Sequence, residues 1–287
     1  MNIIRSIVSA DKTKKYFFQL NEQSDTDFRD HVEACLLYLQ RHGDIICVSS
    51  QVGCVQSCSF CASGLRPFIR NLTSDEIQEQ VRLIIEDNPK FSNCKFQITY
   101  MGSGEPLSNW DAVFSSIDCL RERYSNLEKV NISTIWPTDA LKRFKALDWN
   151  KYKDFLHFQF SLHFPNDKER NMYFRAKLPS ILESIDSLEY ISQLINDVYR
   201  INYIPFDGLN DSDLHIKELA EVMEHTENAV LKVSEMCTIQ GCTLMPSRIF
   251  DVFVEKIKLL PYPNEVFKSD GTDIHAGCGQ LYNDSII

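Results

Sequence analysis

The sequence alternates between short strand-like runs and helix-like runs, and this alternation limits the folds open to it. The strand-like runs span 45–50, 95–101, 129–134, 157–164, 199–205 and 229–236. The helix-like runs span 73–87, 109–124, 138–147, 179–196, 212–225 and 247–259. Six strand–helix units of this kind predict an α/β fold with a parallel sheet, as a partial (β/α)6 TIM-type barrel. Functional side chains are then expected at the carboxyl ends of the strands.

The first forty residues have a different pattern. Strand-like runs at 2–8, 14–20 and 32–39 are separated by a polar turn and by a polar loop at 21–30. We therefore divide the chain into an N-terminal β-hairpin extension at 1–43, a barrel at 44–260, and a C-terminal segment at 261–287. That last segment contains the glycine-rich run SDGTDIHAGCGQL, which is typical of a loop.

Composition narrows the class of protein. The 287 residues are 44% hydrophobic and 24% charged, which predicts a packed domain without disorder. No apolar run is long enough for a membrane span, and the start lacks a secretory signal, so we expect a cytoplasmic protein that does not bind membranes. Ten cysteines in such a chain indicate reduced, metal-bound or catalytic thiols. The net charge of −10 argues against a general polyanion binder, although a local basic patch would suffice.

Three cysteines, Cys54, Cys58 and Cys61, follow the first barrel strand with the spacing C-x3-C-x2-C. Structural zinc needs four ligands, usually in two pairs, whereas this loop offers three. Three thiolates on a [4Fe–4S] cluster leave one iron open for a substrate or cofactor. Phe60, between the last two cysteines, is placed to shield such a cluster. The alternatives are a zinc knuckle or buried cysteines that bind no metal.

The motifs CVSSQVGC, SFCASG, RNLTSDEI, MGSGEPL, SLHFPND, DGLNDSD and DIHAGCGQL occur in one order along the chain. Together they resemble the RlmN/Cfr family of radical S-adenosylmethionine (SAM) methyltransferases, from about residue 6 to residue 282. Those enzymes methylate adenosine carbons in large-subunit ribosomal RNA, and some also act on transfer RNA. The resemblance implies a [4Fe–4S] cluster held by the three cysteines, SAM as cofactor, a flavodoxin- or ferredoxin-type electron donor, and a monomer.

The resemblance also implies contacts to SAM at the strand ends. An alternative for MGSGEP is an ordinary strand-to-helix turn, and one for the histidine is a satisfied strand-end side chain. The family has an asparagine after its sixth strand where this chain has a serine, and Trp136 is expected to reshape the pocket. The implied SAM contacts are Gly104, Glu105, Ser133, Ser161, Leu162, His163 and Ser234.

Two further cysteines bear on the chemistry. The amidine carbon of adenine and the methyl group of SAM are both electrophilic, so ordinary transfer between them fails. One solution holds the methyl on a thiolate, converts it to a carbon radical and releases the product by forming a disulfide. By resemblance Cys278 carries the methyl, Cys47 forms the disulfide and Glu33 removes the ring proton. Alternatives are a buried strand cysteine for Cys47 and a solvated strand carboxylate for Glu33.

Two features depart from the family. Members usually carry an N-terminal helical accessory domain, whereas this sequence begins at the hairpin that follows it, and the segment before Cys278 is not arginine-rich. Three hypotheses follow: methylation of adenosine in RNA, the same chemistry on a nucleotide, natural product or peptide, and an iron–sulfur sensing protein without turnover. The remaining cysteines are expected to be core or incidental: Cys35, Cys94, Cys119, Cys237 and Cys242.

Overall fold

The computed structural model describes residues 1–20, 30–39, 43–92, 94–144 and 146–282. The loop predicted at 21–30 falls almost wholly outside these residues. Within them, strands and helices alternate along the chain. The strands are β1 (Asn2–Val8), β2 (Lys14–Gln19), β3 (His31–Leu39), β4 (Gly43–Cys47), β5 (Gln51–Val52), β6 (Arg70–Asn71), β7 (Phe96–Tyr100), β8 (Leu127–Thr134), β9 (Leu156–Ser161), β10 (Tyr199–Tyr203), β11 (Ala229–Ser234) and β12 (Asn264–Phe267).

The helices lie between the strands and cover the sheet. They are α1 (Ala62–Leu65), α2 (Ser74–Asp87), α3 (Trp110–Arg123), α4 (Thr138–Phe144), α5 (Asp167–Phe174), α6 (Ile181–Ile195), α7 (Asp213–Met223) and α8 (Phe250–Ile257). Helix α2 begins with a capping box in which the Thr73 side chain and Glu76 satisfy each other's backbone N–H groups. Its buried stripe of Ile77, Val81 and Ile84 follows the predicted helical period.

One sheet of ten strands organises the molecule, in the order β1-β2-β3-β4-β7-β8-β9-β10-β11-β12. Strands β1 to β4 are antiparallel, and every pair from β4 to β12 is parallel. The predicted α/β fold with a parallel sheet is therefore confirmed. The edge strands β1 and β12 do not pair with each other, so the sheet is an open partial barrel. Because β3 pairs with β4, the N-terminal strands continue the same sheet, and the three-segment division stays a prediction.

Two elements differ from the expected six units. Strand β12 adds a seventh parallel strand beside β11, although its sequence NEVF contains only four residues and no apolar run. Helix α5 occupies a stretch without strong amphipathic pattern, and Asn166 caps it by accepting a hydrogen bond from the Glu169 N–H. Both elements depend on neighbours distant in sequence, which local periodicity does not reveal.

The hydrophobic core fills the space between the sheet and its helices. A second apolar cluster lies above the carboxyl ends of the strands, where Phe60, Phe164, Phe174 and Phe206 pack ring against ring. Each buried phenylalanine contributes about 1.5–3 kcal/mol from the area it removes from water. This aromatic cluster fixes the loop that carries the three spaced cysteines. No helix in the described part of the chain is both long and apolar enough to cross a bilayer.

Candidate active site

The carboxyl ends of the parallel strands surround a cavity, called here the main cavity. All the residues expected to bind the cluster or SAM line it, except Leu162, and Cys278 joins them. The predicted residues in its wall are Cys54, Cys58, Cys61, Gly104, Glu105, Ser133, Ser161, His163, Ser234 and Cys278. Parallel strands end at one edge, which explains why residues far apart in sequence meet here.

The cluster loop, residues 54–61, follows β5 and places its three thiols in the wall of this cavity. Gly53 begins the loop at φ +73°, where an added Cβ would lie 2.2 Å from the Pro67 carbonyl oxygen. Burial, and then the neighbouring thiols, raise the pKa of Cys54 to about 12 and that of Cys58 well above its ordinary value. Burial also raises the pKa of Cys61. These thiols keep their protons unless a cation compensates their charge.

Iron fits this donor set. A coordinated thiol is deprotonated outright because the metal supplies the missing positive charge. Among the described residues, no three thiol, imidazole or carboxylate groups converge on a single-ion site. A [4Fe–4S] cluster makes a different demand, since each cysteine binds its own iron atom. Three cysteines, one for each of three irons, match the ligand set that membership of the resembled family implies for a [4Fe–4S] cluster.

Aromatic rings enclose the loop from above. The Phe60 ring meets the His163 ring edge-on at a centroid distance of 5.3 Å, and His163 stacks on Phe174 at 5.8 Å. Burial and nearby Arg170 lower the pKa of His163 to about 3, so its imidazole is neutral. Arg170 is itself buried and donates hydrogen bonds to the backbone carbonyls of Ile135 and Pro179. This layer of rings packs against the loop that would hold the cluster.

Glu105 follows β7 and is 5% exposed. Its carboxylate accepts hydrogen bonds from Thr134 Oγ1 at 2.6 Å and from the backbone N–H groups of Ile135 and Leu107, both at 3.0 Å. Burial raises its pKa to about 7 against the effect of these donors. A fixed carboxylate in the wall of an apolar cavity suits a cationic group such as the SAM ammonium.

Two glycines before Glu105 permit close backbone approach. An added Cβ at Gly102 would lie 2.5 Å from the Val48 carbonyl oxygen, and Gly104 has φ +105°. At Gly104 the added Cβ would meet Gln51 side-chain carbons at 2.7 Å. Gln51 also accepts a hydrogen bond from the Glu105 N–H at 3.0 Å. The glycines therefore seat the turn that aims Glu105 into the main cavity.

Polar side chains from β8 to β11 complete the wall. Ser133 and Ser161 lie 3.5 Å apart between their hydroxyl oxygens, and Gln159 Nε2 donates to Ser133 Oγ at 3.0 Å. Gln159 Oε1 accepts from Lys232 Nζ at 2.9 Å. These serines, as predicted, end neighbouring strands and face the same space. Ser234 faces it too, and its hydroxyl contacts the strand next to its own.

The side chains of Leu162 and Trp136 do not line the main cavity. Leu162 is fully buried in the main core, so its side chain does not line the main cavity, and only its backbone is available for a SAM contact. The expectation that Trp136 reshapes the pocket is wrong. Its indole is fully buried and packs against Phe144 and Phe158, because a left-handed backbone at φ 62° turns the side chain into the core.

A second, smaller cavity, called here the cysteine cavity, is lined by both Cys47 and Cys278. Cys278 is exposed to solvent and lines both cavities, and the protein packed near its thiol, followed by Cys237, raises its pKa above the ordinary value. Burial, and then the charge of Cys278, raise the pKa of Cys47 to about 12. Lys232 lines the cysteine cavity and lowers the pKa of Cys278, opposing the effect of burial. The two thiols and the Lys232 side chain therefore line the same cavity.

The carrier loop, residues 276–279, is anchored on both sides of Cys278. The Cys278 N–H donates to Ser269 Oγ at 3.2 Å, and the Gly279 carbonyl accepts from the Ala62 N–H at 2.8 Å. Gly279 has φ +79°, and a Cβ at Gly277 would lie 2.8 Å from Cys237 Sγ. These contacts link the carrier loop directly to the cluster loop.

Glu33 lies in neither cavity. Its side chain is fully buried in an ion pair with Lys15, with 2.9 Å between Lys15 Nζ and Glu33 Oε2. The backbone N–H of Tyr282 donates to the same carboxylate oxygen at 2.9 Å. Breaking a buried pair of this kind costs about 3–5 kcal/mol because it leaves one charge uncompensated. The alternative of a solvated strand carboxylate is therefore wrong.

Several residues of the site are not predicted from the sequence. Gln159 and Lys232 each stand two residues before a predicted strand-end serine, so the period of two puts them on the same inward face. That periodicity is the signal that identifies them. Cys237, expected to be core or incidental, lies in the wall of the main cavity, and Cys35 is the cross-strand partner of Cys47. Neither position is visible without the sheet register.

The family model for the radical SAM superfamily matches residues 48–220, so the chain belongs to that superfamily. It is 30% identical to the probable dual-specificity RNA methyltransferase RlmN of Thermotoga maritima, an alignment covering 96% of this chain and 78% of that protein. The corresponding Porphyromonas gingivalis protein is also 30% identical, covering 95% of this chain and 74% of that one. Within the superfamily, the chain therefore belongs to the RlmN family of radical SAM methyltransferases.

Solved structures agree with this assignment. A radical SAM methyltransferase from Sphaerobacter thermophilus superimposes with a TM-score of 0.83 at 25% identity, covering 99% of this chain and 81% of that chain. Spore photoproduct lyase in complex with a dinucleoside spore photoproduct superimposes with a TM-score of 0.52 at 10% identity, over 78% of this chain and 76% of that one. The second likeness concerns the fold alone. Membership implies SAM and a [4Fe–4S] cluster, and the predicted family is confirmed.

Proposed function

We propose that this chain methylates an sp2 carbon of adenosine in RNA, with Cys278 as the methyl carrier and Cys47 as the thiol that releases the product. The observation that carries the proposal is that Cys278 lines both the main cavity and the cysteine cavity. A carrier thiol needs access to the methyl donor on one side and to a second thiol on the other. The RNA substrate follows from the relatives, whose names describe RNA methyltransferases.

The residues divide the work as follows. The three thiols of the cluster loop hold a [4Fe–4S] cluster, and Glu105, Gly104, Ser133, Ser161, His163 and the Leu162 backbone hold SAM. When bound, these groups supply a methyl group and a hydrogen-abstracting radical. Cys278 would lose its thiol proton to solvent and take the methyl group on sulfur, with the thioether product of SAM leaving. The radical would then remove one hydrogen atom from that methyl group, and the resulting methylene radical would add to the adenine ring.

Release of the product needs a proton acceptor and a second thiol. Glu33 accepts the ring proton, and the Cys47 thiol bonds to the Cys278 sulfur. The carbon–sulfur bond breaks, the methylene carbon takes the Cys47 thiol proton to become the methyl group, the unpaired electron left on the adduct would return to the cluster, and a Cys47–Cys278 disulfide remains. An external dithiol reduces that disulfide before the next cycle. Lys15 and the Tyr282 N–H both hold the Glu33 carboxylate, so this step requires the backbone near Tyr282 to move away and the ion pair with Lys15 to open.

Electron supply and setting belong to the same proposal. A flavodoxin- or ferredoxin-type protein delivers the electron to the cluster, and the enzyme acts as a monomer in the cytoplasm.

A second candidate is the same chemistry on a small molecule or peptide. The net charge of −10 favours this candidate, and so does the lack of arginine in the segment VFKSDGTD before Cys278. The lone lysine of that segment, Lys268, forms an ion pair with Glu235 at 3.2 Å. The carboxylate neutralises the lysine charge, which weakens its attraction for the phosphates of RNA.

The experiment replaces Cys47 with alanine in anaerobically reconstituted enzyme. Cys278 still carries the methyl and joins the substrate, but no thiol completes release, so a covalent adduct accumulates. Intact-mass spectrometry after ribonuclease digestion identifies the attached group as a nucleotide or a small molecule. Cys119→Ala, at an exposed cysteine outside both cavities, is the matched control and forms no adduct. Normal turnover by Cys47→Ala overturns the assigned release step. An adduct that is not a nucleotide favours the second candidate.

A further inference from the structure

Ser234, at the end of β11, stands where the family resemblance implies an asparagine. Its hydroxyl donates to the side-chain oxygen of Asn202 at 2.6 Å. Asn202 lies on the adjacent strand β10, one position before its end, and is 3% exposed. The Asn202 backbone carbonyl accepts hydrogen bonds from the N–H groups of Leu162 and His163, which ties β10 to the predicted SAM-contact segment of β9. An amide is therefore present beside Ser234, on the neighbouring strand.

The orientation of that amide is fixed. Because the Ser234 hydroxyl donates to the Asn202 amide oxygen, the amide nitrogen faces away from Ser234. Within the described ranges, that nitrogen makes no hydrogen bond to the protein, and Asn202 lines both the main cavity and the cysteine cavity. The nitrogen is accessible from these cavities, so it can donate a hydrogen bond to a ligand atom that enters them.

We propose that the Asn202 amide donates a hydrogen bond to bound SAM, with Ser234 as a positioning residue, so that β10 supplies the contact that the family takes from β11. This inference rests on the proposed function, because it takes SAM as the occupant of the main cavity. It assigns to this chain a SAM contact that the motif at β11 alone does not contain.

The test measures the dissociation constant of SAM by equilibrium dialysis against anaerobically reconstituted enzyme, without turnover. Asn202→Ala weakens binding about tenfold, the effect of losing one hydrogen bond of about 1.4 kcal/mol. The matched control is Asn131→Ala. That asparagine also lies within a barrel strand, but its amide donates to Gln97 and it does not line the main cavity. Iron content per chain reports whether each variant is folded and loaded.

Two further variants separate a ligand contact from a structural role. Ser234→Ala frees the amide to rotate and weakens SAM binding about threefold. The exchange Asn202→Ser with Ser234→Asn moves the amide to β11 and restores affinity to within about threefold of the parent. Unchanged affinity in Asn202→Ala, or equal losses in Asn202→Ala and Asn131→Ala, overturns the inference. Absence of SAM binding by the parent enzyme overturns the proposed function instead.

Discussion

The structure allows us to estimate how much the substitution Gly104→Ala destabilises the fold. The Gly104 φ of +105° lies in a region that residues with a Cβ rarely adopt, and an alanine Cβ would meet Gln51 carbons and the Ser50 hydroxyl at 2.7 Å. Positive φ costs a non-glycine residue about 1–2 kcal/mol. Overpacking of a tight site costs about 1–3 kcal/mol more. We therefore expect Gly104→Ala to lower the free energy of unfolding by about 2–5 kcal/mol.

Gly208 provides the control. It has φ +64°, but an added Cβ would meet nothing within 4 Å. Gly208→Ala is therefore expected to lower the free energy of unfolding by about 1–2 kcal/mol, from the unfavourable backbone conformation alone and without overpacking. Alanine reduces the entropy of the unfolded chain equally at both positions, so this effect cancels in the comparison. The difference between the two variants isolates the clash, and it should be about 1–3 kcal/mol.

Urea unfolding followed by circular dichroism measures both variants. The midpoint of Gly104→Ala should fall well below that of Gly208→Ala at an unchanged denaturant slope. Equal midpoints would refute the reasoning, because they would mean that Gln51 and Ser50 yield without cost. In that case the turn before Glu105 is not held by close packing.

Three other predictions address the site. Replacing all three cysteines of the cluster loop with alanine abolishes binding of about four irons and four sulfides on reconstitution, measured by iron and sulfide analysis; a variant that retains the brown chromophore contradicts the assignment. Glu105→Ala weakens SAM binding, measured by equilibrium dialysis, and unchanged affinity removes Glu105 from the SAM site. Lys15→Met strands the Glu33 charge and lowers the free energy of unfolding by about 3–5 kcal/mol, whereas Lys15→Met with Glu33→Leu recovers most of that loss. Equal urea midpoints for the single and double variants would show that the pair is not the cause.

The edge of the sheet on which the site lies could be predicted from sequence. Glu105, Ser133 and Ser161 each follow an apolar strand run, and parallel strands present their carboxyl ends together. That rule alone brings three segments from different parts of the chain to one cavity. The cysteine spacing likewise identifies the cluster loop without any tertiary information.

Partnerships across the sheet could not be predicted in the same way. Lys15 and Glu33 belong to adjacent antiparallel strands, and their pairing depends on a register that the sequence leaves open. A shift of one residue would turn Glu33 to the opposite face. The Asn202–Ser234 bond depends equally on the parallel register of β10 and β11. Strand β12 is not predicted, because its four residues lack a strand-like hydrophobic pattern and its position is set by pairing with β11.

The five cysteines to which we assign roles lie in three different environments, which fit the separate roles proposed for them. The three loop thiols are held together under aromatic rings, where only a metal compensates their charge. Cys47 is 9% exposed in a strand and has access only to the cysteine cavity. Cys278 differs, because glycines flank it and it lines both cavities. Its loop is anchored at Ser269 and Ala62, so the proposed carrier role requires the Cys278 side chain to turn from one cavity to the other while the backbone stays in place.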